Sequence, residues 1–343
     1  MINYKEYTIP LDSEKGIATL DGWVEFWSNV LRGISQHTKF IQADLSGGFD
    51  TRVSFAILLH SGIDLDKIRI NSFKGTVHTL KEDYEIASQI ASYYGFKLNQ
   101  LFPDQQFLNY NISDCFNIDL YGNQPFSNLS RLFLRKSIEK QYRLGGMSGE
   151  TLRYRWQITY NEFINFFAWK VKPYSPSLSD KIFDSVKKFL DSGLHAVCNK
   201  HKIQDIKTKG LAQYLYHETW SRHHFGKETL CHNLVNVVRL SPALDPLVRT
   251  LRLETAQCPD ANLLMALLFA RYAPPLLKFP IDLNRSIAPE TIEYAQNLNA
   301  RFPRPLVTNN TKWGGDYSTY NRATCKPRKS LQRAGTIPTF RAA

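Results

Sequence analysis

One six-residue segment, Ser46-Gly47-Gly48-Phe49-Asp50-Thr51, limits the folds open to this chain more than any other. Phe40 to Leu45 precedes it and reads as a strand, and Thr51 to Leu59 follows and reads as a helix that stops at Gly62. In an open parallel sheet, ligands bind at loops of this kind, at the carboxyl ends of strands. Two glycines let the backbone come close to an anion. Ser46 and Thr51 offer hydroxyls, and the helix points its N–H groups and positive dipole end at the same spot. Together these make a socket for a polyphosphate. Asp50 by itself would repel phosphate, so its natural role is to hold a Mg²⁺ that bridges the phosphates. The lysine of a GxxxxGK[ST] loop is missing, so the socket suits pyrophosphate as a leaving group better than γ-phosphoryl transfer. A plain tight turn would also use Ser-Gly-Gly, but the flanking strand and helix argue against that reading alone.

The pattern around the loop extends the same architecture. Residues 1–20 read as an extended lead-in, and Leu20 to Ser35 as a helix capped by Asp21, with Trp23, Val24, Trp27, Val30, Leu31 and Ile34 at helical spacing. Ile68 to Phe73 reads as a second strand, Glu82 to Tyr94 as a second helix stopped by Gly95, Phe96 to Phe102 as a third strand, and Ser127 to Tyr142 as a third helix. Alternating strands and helices predict an α/β fold, a parallel sheet with helices on both faces. From about Arg155 onward the pattern is mostly helical. We therefore expect a lead-in and helix over residues 1–35, an α/β core over 36–155, a helical extension over 156–300 and a basic, flexible tail over 301–343.

Composition excludes several classes. The longest clean apolar run, Leu263 to Ala270, is far short of the roughly 20 residues a membrane span needs. The polar start, Met1 to Glu6, lacks a signal-peptide apolar region, so a cytoplasmic location is expected. Five cysteines (Cys115, Cys198, Cys231, Cys258 and Cys325) form no CxxC pair, which argues against a disulfide framework or a zinc knuckle. The net charge is +12, but residues 301–343 hold nine Lys/Arg against one acid, so the basicity belongs to the tail. Such a tail attracts phosphates, nucleic acid or an anionic surface, or is a solvated, partly disordered end, and the solvated end is the favoured reading.

The loop resembles the SGGxD[ST] signature of the N-type ATP pyrophosphatases, and within them the chain most resembles the synthetase domain of asparagine synthetase and its relatives, such as β-lactam synthetase. Three further segments carry the resemblance: Glu82-Asp83-Tyr84-Glu85-Ile86-Ala87, Gly145-Gly146-Met147-Ser148-Gly149-Glu150, and Arg239-Leu240-Ser241-Pro242-Ala243-Leu244-Asp245-Pro246. It spans roughly residues 30–280. It implies an adenine nucleotide alpha hydrolase-like fold and an ATP- and Mg²⁺-dependent ligase. Such an enzyme adenylates a carboxylate, releases pyrophosphate, and lets an amine displace AMP to form an amide.

By position, the resemblance implies that Leu45, Ser46, Gly47, Gly48 and Thr51 cradle the nucleotide phosphates, and that Asp50 binds metal. Ser72 and Phe73 would lie near the adenine. Glu150 would be the acid of the second loop, as metal ligand or as the residue orienting the amine, with Gly149 beside it at the substrate. Lys278 or Lys312 would supply the family's late lysine, Lys278 being the choice among catalytic residues. Asp245 would cap a helix, with Pro246 in its first turn. The family's glutaminase domain begins with a nucleophilic Cys after the initiator Met. Ile2 stands there in this chain, so the amine is expected from free ammonia, a partner amidotransferase or an amine-bearing substrate. The acceptors implied are small-molecule carboxylates, either aspartate or a uronic-acid sugar of polysaccharide biosynthesis.

From the residues themselves, Arg153 and Arg155 follow the second loop and suit bidentate clamping of a carboxylate or phosphate, or a solvated basic face. His217, Glu218, His223 and His224 lack HExxH spacing, and packing explains Trp156, Tyr160, Phe163, Phe166, Phe167 and Trp169 better than base stacking. Two other functions share the loop: a tRNA-modifying ATP pyrophosphatase, against which the missing cysteine pair argues, and a nucleotide-binding module without catalysis.

Overall fold

Strand β2 shows how the sheet is built, once the short β1 (Ile9–Pro10) and helix α1 (Glu14–His37) have led into it. In β2 (Ile41–Asp44) the side chains alternate: Ile41, Ala43 and the following Leu45 are buried, and Gln42 and Asp44 turn to the other face. The computed structural model describes residues 9–38, 41–74, 78–101, 140–146, 149–153, 158–171, 179–208, 211–216, 218, 237–252, 262–281 and 285–304. Strand β2 pairs in parallel with β3 (Arg69–Phe73) on one side and with β5 (Gln141–Leu144) on the other. Strand β4 (Leu98–Leu101) extends the sheet beyond β3, and β6 (Val237–Leu240) extends it beyond β5. The order β4-β3-β2-β5-β6, parallel throughout, makes this an α/β fold with β2 at its centre.

Helix α2 (Phe49–Ser61) follows β2 and is buried on most of its faces, because it packs against α1 on one side and α7 (Leu263–Tyr272) on another. It ends where Gly62 turns left-handed at φ 69°. Helix α3 (His78–Tyr94) packs on β3 and β4 and ends the same way at Gly95. After β5, helices α4 (Tyr160–Val171), α5 (Ser179–His201) and α6 (Leu211–Leu215) bury a smaller cluster of their own. Tyr160 and Phe163 lie in it, so those aromatics are packing residues. The short β7 (Leu251–Arg252) pairs with β1, and α8 (Pro289–Arg301) packs on α7.

Three elements depart from the expected pattern. Helix α1 begins at Glu14, where the lead-in was expected to run to residue 20; its cap is Ser13, whose hydroxyl accepts from Gly16 N at 3.0 Å. Asp21 instead accepts two hydrogen bonds from Arg271 on α7, at 2.6 and 2.9 Å, a partner 250 residues away. Gln141 and Tyr142, expected to end a helix begun at Ser127, belong to β5; residues 127–139 lie outside those described. The sheet also takes β6 from within the stretch expected to be mostly helical. The tail over 301–343 lies outside the described residues from 305 onward. Among the described residues no helix is long and apolar enough to cross a membrane.

Candidate functional site

The first loop leaves β2 at its carboxyl end. Leu45 N donates to Asn71 O at 2.8 Å, so the strand pairing continues one residue into the loop. The two hydroxyls then brace the turn. Thr51 Oγ1 accepts from Ser46 N at 3.0 Å, Ser46 Oγ accepts from Gly48 N at 3.1 Å, and the hydroxyls are themselves 3.0 Å apart. Gly48 is the N-cap of α2 and makes no side-chain cap hydrogen bond, and the amino end of a helix suits an anion. Arg52 fixes the loop from behind. Its guanidinium is buried, donating to Gly47 O at 2.9 Å, to Phe279 O at 3.2 Å and to Pro280 O. Arg52 carries no role in the sequence motif; the available signal was an arginine just before the buried run Val53 to Leu58.

The second loop leaves β5, the strand beside β2, and lies against the first. Gly145 O accepts from Ser54 Oγ on α2 at 2.8 Å. A Cβ on Gly146 would stand 2.6 Å from Thr51 N, and one on Gly149 would stand 2.5 Å from Asp50 Cβ and 2.7 Å from its Cγ. These glycines are therefore needed for close approach. The chain then makes a 3-10 turn, Gly149–Leu152, whose Leu152 is buried. That turn aims Arg153 back at the first loop: its Nη2 is 3.2 Å from Asp50 Oδ1 and 3.4 Å from Oδ2. The Arg153 side chain is only 8% exposed, and its Nε has no hydrogen-bond partner among the described residues.

Below the second loop, the ends of three strands are tied by charge. Arg143 on β5 donates to both Asp44 oxygens at 2.8–3.0 Å, and Arg239 on β6 stands 3.8 Å from Asp44. A Cβ on Gly145 would come within 2.6 Å of Arg239 Nη2, so the loop crosses directly over this group. Ser72, next to the last residue of β3, lies on the other flank. It is 2% exposed, and its hydroxyl has no hydrogen-bond partner among the described residues. No family model and no curated protein matches the chain.

The remaining expected residues divide. The structure brings Ser46, Gly47, Gly48, Asp50, Thr51, Gly149 and Arg153 together, and it puts Leu45, Ser72 and Phe73 at adjacent strand ends. Glu150 lies on the Gly149–Leu152 turn, but its side chain, like Arg155, lies outside what is described. Lys278 ends the 3-10 turn Pro274–Lys278 with its side chain exposed. Among the described residues no hydrogen bond or ion pair ties it to either loop, although Phe279 beside it anchors Arg52. Asp245 caps a turn: its Oδ1 accepts from Leu247 N at 2.8 Å, with Pro246 between them, and its Oδ2 accepts from Trp27 Nε1 at 2.8 Å. Glu218 pairs with Lys200 at 2.6 Å, and among the described residues no three His, Cys, Asp or Glu side chains gather into a metal cluster.

Metal and nucleotide can be tested against these residues. One carboxylate, Asp50, at the amino end of a helix suits Mg²⁺ that arrives on substrate phosphates and keeps most of its other ligands from phosphate and water. The bracing hydroxyls, the uncapped first turn of α2 and the orphaned Ser72 hydroxyl suit a nucleotide lying across the ends of β2 and β3.

Proposed function

We propose that this chain is an ATP-dependent amide-forming ligase of the asparagine synthetase-like N-type ATP pyrophosphatase kind, with the adenine nucleotide alpha hydrolase-like fold. The observation that carries this reading is the meeting of two glycine-bearing loops at Asp50, one from β2 and one from β5, at the carboxyl edge of a parallel sheet. The N–H groups opening α2, with the Ser46 and Thr51 hydroxyls, hold the β- and γ-phosphates. Asp50 would hold Mg²⁺ carried on those phosphates, which supplies charge neutralisation for the leaving pyrophosphate. Ser72 and Phe73 at the end of β3 receive the adenine side. Arg153 presents a guanidinium to the same space and steadies negative charge as the acceptor carboxylate attacks the α-phosphorus and pyrophosphate departs. An amine, from ammonia or a partner amidotransferase, then displaces AMP from the adenylate. The acceptors that fit the reading are aspartate and uronic-acid sugars.

The test is ATP–pyrophosphate exchange with Mg²⁺ across a panel of amino acids and uronic acids. Exchange that requires one carboxylate and vanishes in Asp50→Asn is the expected result. ATP binding without exchange for any carboxylate, with and without ammonia, defeats the ligase reading. A second reading, a nucleotide-binding module without turnover, is favoured by the Arg153–Asp50 pair, which already neutralises the carboxylate a metal would need.

A further inference from the structure

The peptide group between Gly47 and Gly48 is held from both ends. Arg52 Nη2 donates to its carbonyl oxygen at 2.9 Å, and its N–H donates to Ser46 Oγ at 3.1 Å. That arginine is 1% exposed and is itself tied to Phe279 O and Pro280 O across the fold. With glycine on both sides no Cβ resists rotation of the peptide, so these bonds set its direction. The hydroxyl protons next to it can be counted. Ser46 Oγ accepts the Gly48 N–H, Thr51 Oγ1 accepts the Ser46 N–H, and the 3.0 Å contact between the two oxygens takes one hydroxyl proton. Two hydroxyls carry two protons. Among the described residues neither hydroxyl has a further partner, and both residues are half-buried, so the second proton is available to an acceptor outside the loop. A half-turn of the peptide would reverse the count. The Gly47 carbonyl would take the Ser46 proton, Ser46 Oγ would take the Thr51 proton, and none would remain.

We propose that Arg52 is a positioning residue for the anionic ligand of this loop: by holding the Gly47 carbonyl back, it keeps one hydroxyl proton of the Ser46–Thr51 pair for a phosphate oxygen. The proposal rests on the reading of the loop as an ATP socket and deepens it. It gives the long-range brace from Phe279 and Pro280 a direct effect on ligand affinity.

Calorimetric titration of the full chain with inorganic pyrophosphate and with MgATP tests it. Arg52→Lys keeps the charge but lacks the planar fork that reaches three carbonyls. It should weaken both probes about tenfold or more. Val53→Ala opens the core beside it without removing a hydrogen bond, and should bind like the parent. Removing both hydroxyls, in Ser46→Ala with Thr51→Val, should also weaken both probes. Adding Arg52→Lys to that pair should then cost less than about threefold more, because the proton it governs is gone. Pro280→Gly changes an exposed side chain and loosens one acceptor carbonyl, and should weaken pyrophosphate about threefold. If Arg52→Lys does not fold, Pro280→Gly decides, and parental affinity there overturns the proposal. Equal losses in Val53→Ala and Arg52→Lys, or a loss from Arg52→Lys that is just as large without the hydroxyls, overturn it as well. If the hydroxyl variant loses affinity while Arg52→Lys binds like the parent, the positioning role falls and the socket stands. A parent protein that binds neither probe overturns both.

Discussion

The two ends of α2 are built for opposite purposes. At the amino end, Gly48 supplies no cap, and the elements around it are loops that touch through glycines: Gly146 against Thr51 and Gly149 against Asp50. At the carboxyl end the carbonyls of Leu58, Leu59 and Ser61 are answered from within, Leu58 O by Ser61 Oγ. Gly62 N donates to Leu59 O at 3.2 Å, Arg32 of α1 donates to Ser61 O at 3.2 Å, and His60 meets Glu25 at 3.1 Å and the Tyr272 ring at 4.8 Å. On the proposed function, the amino end, with its positive dipole and no side-chain cap, is the end that takes the anionic ligand. The contrast predicts that changes at the amino end act on ligand binding, and changes at the carboxyl end on stability.

The largest expected effect is at Asp50. Asp50→Asn should abolish Mg²⁺-dependent pyrophosphate release. It should also lower stability by about 1–3 kcal/mol, because the buried Arg153 loses its charged partner. Pyrophosphate release at the parental rate would show that the amino end is not the reacting end. Gly149→Ala comes next. The added methyl would press on Asp50 Cβ, so the loops must part at a cost of about 1–3 kcal/mol of overpacking. A denaturant melt should show that loss, and a nucleotide titration should show a weaker Kd; an unchanged Kd would mean that the loops need not meet. Ser46→Ala should be milder, weakening ATP binding by about 1.5–3 kcal/mol if its hydroxyl bonds a charged phosphate, with little change in melting temperature.

The smallest effect belongs to the carboxyl end, and it depends on pH. Burial lowers the His60 pKa below 6.5, more than Glu25 raises it; Arg304 and Arg32 also lower it. The folded state therefore prefers neutral His60, and its contribution is fully present above pH 6.5. As pH falls below 6.5, the unfolded chain takes up a proton that the folded one resists, and stability drops until the folded pKa is reached. Melting curves at pH 7.5 and 5.5 should differ less in His60→Gln than in the parent, with ATP affinity at pH 7.5 equal in both. A loss of ATP affinity in that variant would erase the distinction between the two ends.

What could be read in the sequence follows the same division between local and distant causes. The first loop, the left-handed stops at Gly62 and Gly95 and the strands β2 and β3 come from short-range rules, and the structure places them as those rules require. The start of α1 was misplaced because Asp21 looks like a cap, whereas its carboxylate serves Arg271 across the fold. Strand β6 is four residues long, Val-Val-Arg-Leu, and a run that short gives no period by which to tell strand from helix. Within the site, Gly145, Gly146 and Gly149 could be seen as a cluster, but their purpose lies in atoms of Asp44, Asp50, Thr51 and Arg239, which sequence spacing does not bring near. Arg52 stayed unread for the same reason.

Arg52 has a consequence for the order in which the protein becomes competent. Its guanidinium holds Gly47 to Phe279 and Pro280, contacts that span 227 and 228 residues of sequence. A ribosome making this chain finishes the first loop early and its brace only after residue 280 has emerged. A nascent chain can therefore display the whole Ser46–Thr51 segment and still lack the rigid socket. On the proposed function, nucleotide capture should begin late in synthesis, with long-range closure as the slow step.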